Sequence, residues 1–335
     1  MNTGNPAQAA PGPGHPPTSH SSTSPDSAPA PLKPRWMIAP VFWAGLGVVC
    51  LLAQAWVFAR WAADGNFHAY PSGGYEMPRA LKISTMTLEV VVAVAIIAAA
   101  VLLWWLSRKA GHVTLYTALF AGYMLCFWTN PYSGAVHHAA GHNRYSLNVV
   151  SWGSYLPGWH GPLPQIESFV LNASYPVSLI WAVIGVAVAE RLRRWRPSWS
   201  RARVATLTAL IIFFVDIPLE TAYMRPGGWA YPRALPYLTL FEDSWYRIPL
   251  TSPFTMVVFV TMPVVLMYLY AKPGNEVWLL EGSLQLPQRV RTPIRLLAGI
   301  GFINLSMMAF QWFMVLASLV SYPAGLPSWI DRPHT

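Results

Sequence analysis

Long apolar runs alternate along the chain with short polar stretches rich in cations, and each run approaches the roughly 20 residues that a helix needs to cross a hydrocarbon core. Seven runs are predicted as helices, over residues 38–61, 85–106, 113–129, 169–190, 204–221, 252–271 and 296–320. The pattern predicts an all-α integral membrane protein of about seven transmembrane helices, multi-pass in the cell membrane. The two longest connections, 130–168 and 222–251, are unlike each other, so the inverted repeat of many secondary transporters is not visible.

Residues 1–36 are Pro, Ala, Ser, Thr, Gly and His with almost no large apolar side chain. They cannot bury enough surface to offset the entropy of ordering, and are expected to form a disordered cytoplasmic tail rather than a cleaved leader. The helical membrane domain is expected over 37–322, with a short C-terminal tail over 323–335.

Composition narrows the class further. Of the 335 residues 54% are hydrophobic and only 10% charged, against about a quarter charged in soluble domains. The net charge of +9 does not argue for a nucleic-acid partner, because the cations sit between apolar runs where membrane orientation explains them. With the N-terminus inside, the positive-inside rule accounts for fourteen of the 22 Lys and Arg, most clearly in the arginine-rich connection 191–203, and the C-terminus falls outside. Nine of the 13 acids fall on the outer side, which topology does not require. Chemistry is therefore expected there. Cys50 and Cys126 both lie in apolar runs and offer neither a disulfide framework nor a metal quartet.

Asp216 and Glu220, near the end of the fifth run, carry the strongest chemical signal. An ionisable group at membrane depth costs about 2.5–3.5 kcal/mol to insert, so it usually faces a protein cavity. The i, i+4 spacing puts both carboxyls on one helix face despite Pro218 between them. Two such groups in a low-dielectric site suit paired acid and base roles. The alternative is a structural pair engaged by Arg225. Glu89, at similar depth in the second run, is either a third carboxyl of the same cavity or an interfacial partner of Lys82.

Three further clusters stand on the outer side. His137, His138 and His142 follow Asn130 and Tyr132; they read as substrate-positioning or proton-relay groups, as satisfied histidines of a polar loop, or as metal ligands at helical spacing. One histidine cluster without thiolates argues against a metal. His160 sits in a Gly- and Pro-rich turn. Trp229, Tyr231, Trp245, Tyr246 and Arg247 lie among Gly and Pro residues and read either as an aromatic lid over a cavity or as an interfacial aromatic belt.

At these stretches the chain resembles the AveC-like spirocyclase family of actinobacterial membrane proteins. The likeness rests on Phe127-Trp128-Thr129-Asn130-Pro131-Tyr132, the Asp216 and Glu220 pair, Gly228-Trp229-Ala230-Tyr231, and Leu238-Thr239-Leu240-Phe241 with Trp245-Tyr246-Arg247-Ile248-Pro249-Leu250, over roughly residues 38–320. Family members often carry Asp where Asn130 stands and Gln where Arg247 stands. The resemblance implies a cyclase of polyketide-type secondary metabolism that closes a dihydroxy-ketone to a spiroketal, in some members with loss of a further water. It implies a hydrophobic small-molecule substrate and no redox cofactor or metal. Asp216, Glu220 and Glu89 are the expected catalytic residues; Asn130, Tyr132, His137, His138, Trp229, Tyr231, Trp245, Tyr246 and Arg247 are the expected substrate contacts. The competing readings are a proton-coupled carrier of a hydrophobic metabolite and a membrane scaffold whose Pro-rich tail recruits a partner.

Overall fold

A computed structural model of the chain describes residues 39–162, 166–172, 175–271 and 276–331. The expected tail 1–36 lies outside the described residues. The described chain is mostly helical: α1 is Ala39–Ala63, α2 Arg79–Ala110, α3 Leu115–Met124, α4 Leu179–Trp195, α5 Arg201–Met224, α6 Thr251–Tyr270 and α7 Gln288–Leu319. Counting the helical lead-in from Phe169 with α4, six helices are long and apolar enough to cross a membrane. The α2, α5 and α7 helices extend several residues past their apolar runs, because Arg, Lys and Gln at their ends are good helix formers that hydropathy does not register.

The third run departs from expectation. Its α-helix has 10 residues, then passes through a short break into a 3-10 helix over Phe127–Gly134. Pro131 keeps the second half from returning to an α-helix, since it has no N–H to return to the Phe127 carbonyl and disfavours the α conformation of Asn130 before it. The whole segment nevertheless tracks α7. Arg295 Nε donates to the Val113 carbonyl at 2.6 Å, Trp128 Nε1 to Asn304 Oδ1 at 2.8 Å, the Tyr132 ring lies 5.8 Å from that of Trp312, and Ser318 Oγ lies 3.4 Å from His137 Nδ1. Residue numbers rise together along both segments, so they run parallel.

Small residues let α7 sit between α1 and α3. A Cβ on Gly301 would lie 2.1 Å from the Trp43 carbonyl, and one on Gly299 would lie 2.1 Å from the Ala118 carbonyl. In a membrane, where lipid tails are as apolar as leucine, such backbone contact is a main source of helix association. At one end Met308 of α7 packs among Val57, Trp61, Trp128 and Trp152, and at the other Trp43 meets Phe302, so α1 also runs parallel to α7. At the end of α7 near Val113, the buried Arg295 is fixed by both carboxylate oxygens of Glu276, at 2.6 and 2.8 Å, and by Ser283.

Within α6, the turn Met256–Thr261 widens to a π-helix. Pro263 cannot donate to the Phe259 carbonyl four residues back, and that carbonyl instead accepts the Ser306 hydroxyl of α7.

The connections are not purely irregular, as an all-α reading implies. Among the described residues they hold four two-stranded antiparallel ribbons: Gly141–His142 (β1) with Trp229–Ala230 (β4), Asn148–Val150 (β2) with Ile166–Ser168 (β3), Arg233–Ala234 (β5) with Tyr322–Pro323 (β8), and Thr239–Leu240 (β6) with Ile248–Pro249 (β7). The β1–β4 ribbon aligns His142 with Trp229 and so ties the two long connections together. The stretch after α7 packs back onto them. Trp329 and Ile330 are buried, and Asp331 meets Arg144 at 2.6 Å while its N–H donates to the His142 carbonyl.

Candidate active site

Beneath those ribbons, α5, α6, α7 and the 3-10 turn Tyr175–Ser178 enclose a cavity of about 160 Å³. The α5 face that forms one wall carries Asp216 and Glu220, 1% and 5% exposed. Asp216 Oδ1 accepts the Trp181 indole N–H at 2.6 Å. Glu220 Oε1 accepts the Tyr231 hydroxyl at 2.5 Å and the Ser252 hydroxyl at 2.7 Å, and those two hydroxyls lie 2.8 Å apart. Each carboxyl thus has one oxygen clamped by fixed donors. Its other oxygen, Asp216 Oδ2 or Glu220 Oε2, is buried with no hydrogen-bond partner among the described residues. Burial and the Glu220 carboxyl drive the Tyr231 phenol well above its ordinary pKa, so Tyr231 is a donor throughout the physiological range.

The wall contributed by β1, α7 and the 3-10 segments is a chain of hydrogen bonds. Gln311 Nε2 donates to the Tyr175 hydroxyl at 2.7 Å, Tyr175 donates to Asn130 Oδ1 at 2.6 Å, and Asn130 Nδ2 donates to Glu167 Oε2 at 2.8 Å. His142 Nε2 lies 3.3 Å from that same Glu167 oxygen, and Ser151 donates to the other. Burial alone depresses an imidazole, but the Glu167 carboxylate outweighs it and holds the His142 pKa above its ordinary value. His138, four residues earlier, moves the opposite way. Burial, with His142 nearby, pushes it down to about 4, and neither ring nitrogen has a hydrogen-bond partner among the described residues.

Tyr223 and Trp229 line the same cavity with ring centroids 4.6 Å apart. Gly228 makes that approach possible, because a Cβ there would lie 2.7 Å from Tyr223.

Of the residues singled out in the sequence, Asp216, Glu220, Asn130, His142, Trp229 and Tyr231 meet in this cavity. The described lining does not include the others. Glu89 accepts the Leu147 N–H at 2.8 Å, and its expected partner Lys82 lies over the Tyr145 ring instead. Tyr132 donates to the Pro157 carbonyl, and His137 lies beside Ser318. His138 and His142 are not on a helix, so their spacing does not align them as helical ligands would be. Among the described residues no three His, Cys, Asp or Glu side chains converge as a metal site. Trp245 packs on Trp329, Tyr246 lies under the Arg225 guanidinium, and Arg247 is buried with bonds to the Ser244 and Gly325 carbonyls. Arg225 is thereby occupied away from the acids. His160 is exposed.

Sequence reasoning missed Trp181, Tyr175, Ser252, Gln311 and Glu167 as site residues. Gln311 was detectable as a polar side chain inside an apolar helix. The aromatic and hydroxyl residues carried no such mark.

Residues 107–330 match the family described as Spirocyclase AveC-like. The chain belongs to the AveC-like spirocyclase family. The matched region starts at the last turn of α2, so α1 and most of α2 lie outside it, and it runs on through Ile330, beyond the expected limit near residue 320. It contains both carboxyls and the whole of the cavity lining described above. No curated protein and no solved structure matches the chain.

Proposed function

We propose that this AveC-like spirocyclase is a membrane-embedded cyclase that closes a dihydroxy-ketone of polyketide type to a spiroketal, with Asp216 and Glu220 as its acid and base. The observation that supports it most strongly is the pair of carboxyl oxygens, one per acid, without a hydrogen-bond partner among the described residues, on the wall of a cavity lined mainly by apolar, aromatic and hydrogen-bonding groups.

The chemistry balances with protons alone. The substrate enters as the hemiketal that one hydroxyl forms with the ketone. A carboxylic acid protonates the hemiketal hydroxyl, the C–O bond breaks, and water leaves an oxocarbenium carbon. The second hydroxyl attacks that carbon, and its proton passes to the partner carboxylate. One water is released per turnover, and transfer of a proton between the two carboxyls restores the starting state. Two hydroxyl donors on Glu220 Oε1 suit that residue to the ionised, proton-accepting role, and Asp216, held by a single indole N–H, to the donating one. Trp181, Tyr223 and Trp229 offer π-faces that favour the oxocarbenium charge.

For orientation we infer seven crossings with the N-terminus cytoplasmic. Parallel first and last helices require an odd number of crossings, and the segment 113–134 that tracks α7 supplies the seventh beside the six long helices. The carboxyl pair then lies in the outer half of the membrane.

The test is a product assay in detergent micelles. An acid–base cyclisation needs no second compartment, so solubilised protein should convert a synthetic dihydroxy-ketone to spiroketal faster than a protein-free control. No acceleration in micelles, together with gradient-dependent uptake in proteoliposomes, would make the chain a carrier instead.

A further inference from the structure

Leu219 belongs to two faces of α5 at once. Phe214, Pro218 and Ala222 form an exposed apolar stripe, whereas Asp216, Glu220 and Tyr223 face the cavity. Leu219 lines the cavity and is also 38% exposed, the one lining side chain in that position among the described residues. Val177, half-buried, also lines the cavity, and the exposed Ile180 follows it on α4. The exposed side chains named around this edge are all apolar, and on helices long enough to span a membrane such a surface faces lipid.

Size adds an independent constraint. A cavity of about 160 Å³ is close to the roughly 150 Å³ that holds a benzene-sized ring. It can take about one forming ring with the reacting carbon, but not the remainder of a long polyketide chain. That remainder must extend out of the cavity, and the exposed surface beside Leu219 is apolar.

We propose that the cavity receives its substrate laterally from the lipid leaflet, through a portal at Leu219. The substrate class is a long-chain amphipathic hydroxy-ketone, its oxygenated segment at the carboxyl pair and its apolar remainder in the bilayer. The substrate class rests on the spirocyclase reading above; the portal itself does not. A bilayer route also removes the need for an aqueous path to acids in the outer half of the membrane.

The experiment uses the full chain in proteoliposomes. A nitroxide attached at Leu219→Cys, in a Cys50→Ser background, should collide more with dissolved oxygen than with a water-soluble nickel chelate, and a dihydroxy-ketone bearing a long alkyl tail should slow its motion. Leu219→Trp, which fills the opening, should lower kcat/KM for the long-tailed ketone about tenfold, mainly through KM. Leu210→Trp, on the exposed surface of the same helix, should behave as wild type. Preferential collision with the nickel chelate, or wild-type kinetics for Leu219→Trp, would overturn the portal. If no dihydroxy-ketone is cyclised even by wild type, the spectroscopic arm still decides: a nitroxide slowed by the long-tailed ketone supports the portal, and one left unchanged rejects it.

Discussion

Tyr231 donates its hydroxyl to Glu220 Oε1 at 2.5 Å from a loop eleven residues further along the chain, so the β4 turn and the α5 carboxyl are set against each other by one short bond. Ser252, at the start of α6, donates to the same oxygen. The arrangement directs the second carboxyl oxygen without consuming it.

Tyr231→Phe should therefore leave the fold in place while loosening Glu220. A hydrogen bond to a charged group contributes about 1.5–3 kcal/mol, so kcat is expected to fall about 10- to 100-fold with KM little changed. Steady-state kinetics on the cyclisation reaction measure this; an unchanged kcat would show that Tyr231 does not position Glu220.

His138 makes the protein sensitive to acid. Above pH 6.5 the ring is neutral in both folded and unfolded chains and contributes nothing. As pH falls from 6.5 toward 4, the unfolded chain takes up a proton that the buried ring refuses, and by pH 5 the loss is about 2 kcal/mol. His142, whose folded pKa is raised, acts in the other direction: its contribution is complete below its unfolded value and is lost as pH rises through the folded one. His138→Leu should flatten the decline in melting temperature between pH 7 and pH 5. Equal slopes for variant and wild type would assign the acid sensitivity to other groups.

Gly299→Val tests the helix contact. Its new Cβ would press on the Ala118 carbonyl, and the expected cost is at least about 1–3 kcal/mol, seen as a lower melting temperature and less folded protein in micelles. Gly45→Val, whose Cβ meets nothing within 4 Å, should be tolerated. Equal stability of the two variants would contradict the close packing of α3 and α7.

How much the sequence reveals follows from the distance over which each signal acts. Hydropathy marks six long helices well because a span is a local property of about 20 consecutive residues. It does not register the break after Met124 in the third run or the 3-10 helix that follows, because neither changes the hydropathy. Asp216 and Glu220 are legible together because one helix turn fixes their relation. The Asn130, Tyr175, Gln311 and Glu167 chain draws on four separate segments, and no local pattern joins them. Glu89 shows the reverse error: an acid at the right depth whose partner is the Leu147 N–H.

Trp229 and Tyr223 line the cavity with the carboxyls, and under the proposed mechanism they limit the faces from which a hydroxyl can attack the oxocarbenium carbon. Trp229→Ala should shift the ratio of spiroketal isomers toward that of the uncatalysed reaction, since about 1.4 kcal/mol between closing geometries is a tenfold preference. Chiral chromatography of the products reads this directly. A ratio identical to wild type would remove Trp229 from stereocontrol.

Single-turnover kinetics of Asp216→Asn and Glu220→Gln in micelles test most directly whether the buried carboxyl pair performs the proton transfers. Each amide keeps the side-chain shape but cannot shuttle the proton. Both variants should remain folded, bind the dihydroxy-ketone, and cyclise it about 10²–10⁴-fold more slowly than wild type. Wild-type rates in both folded variants would contradict the account.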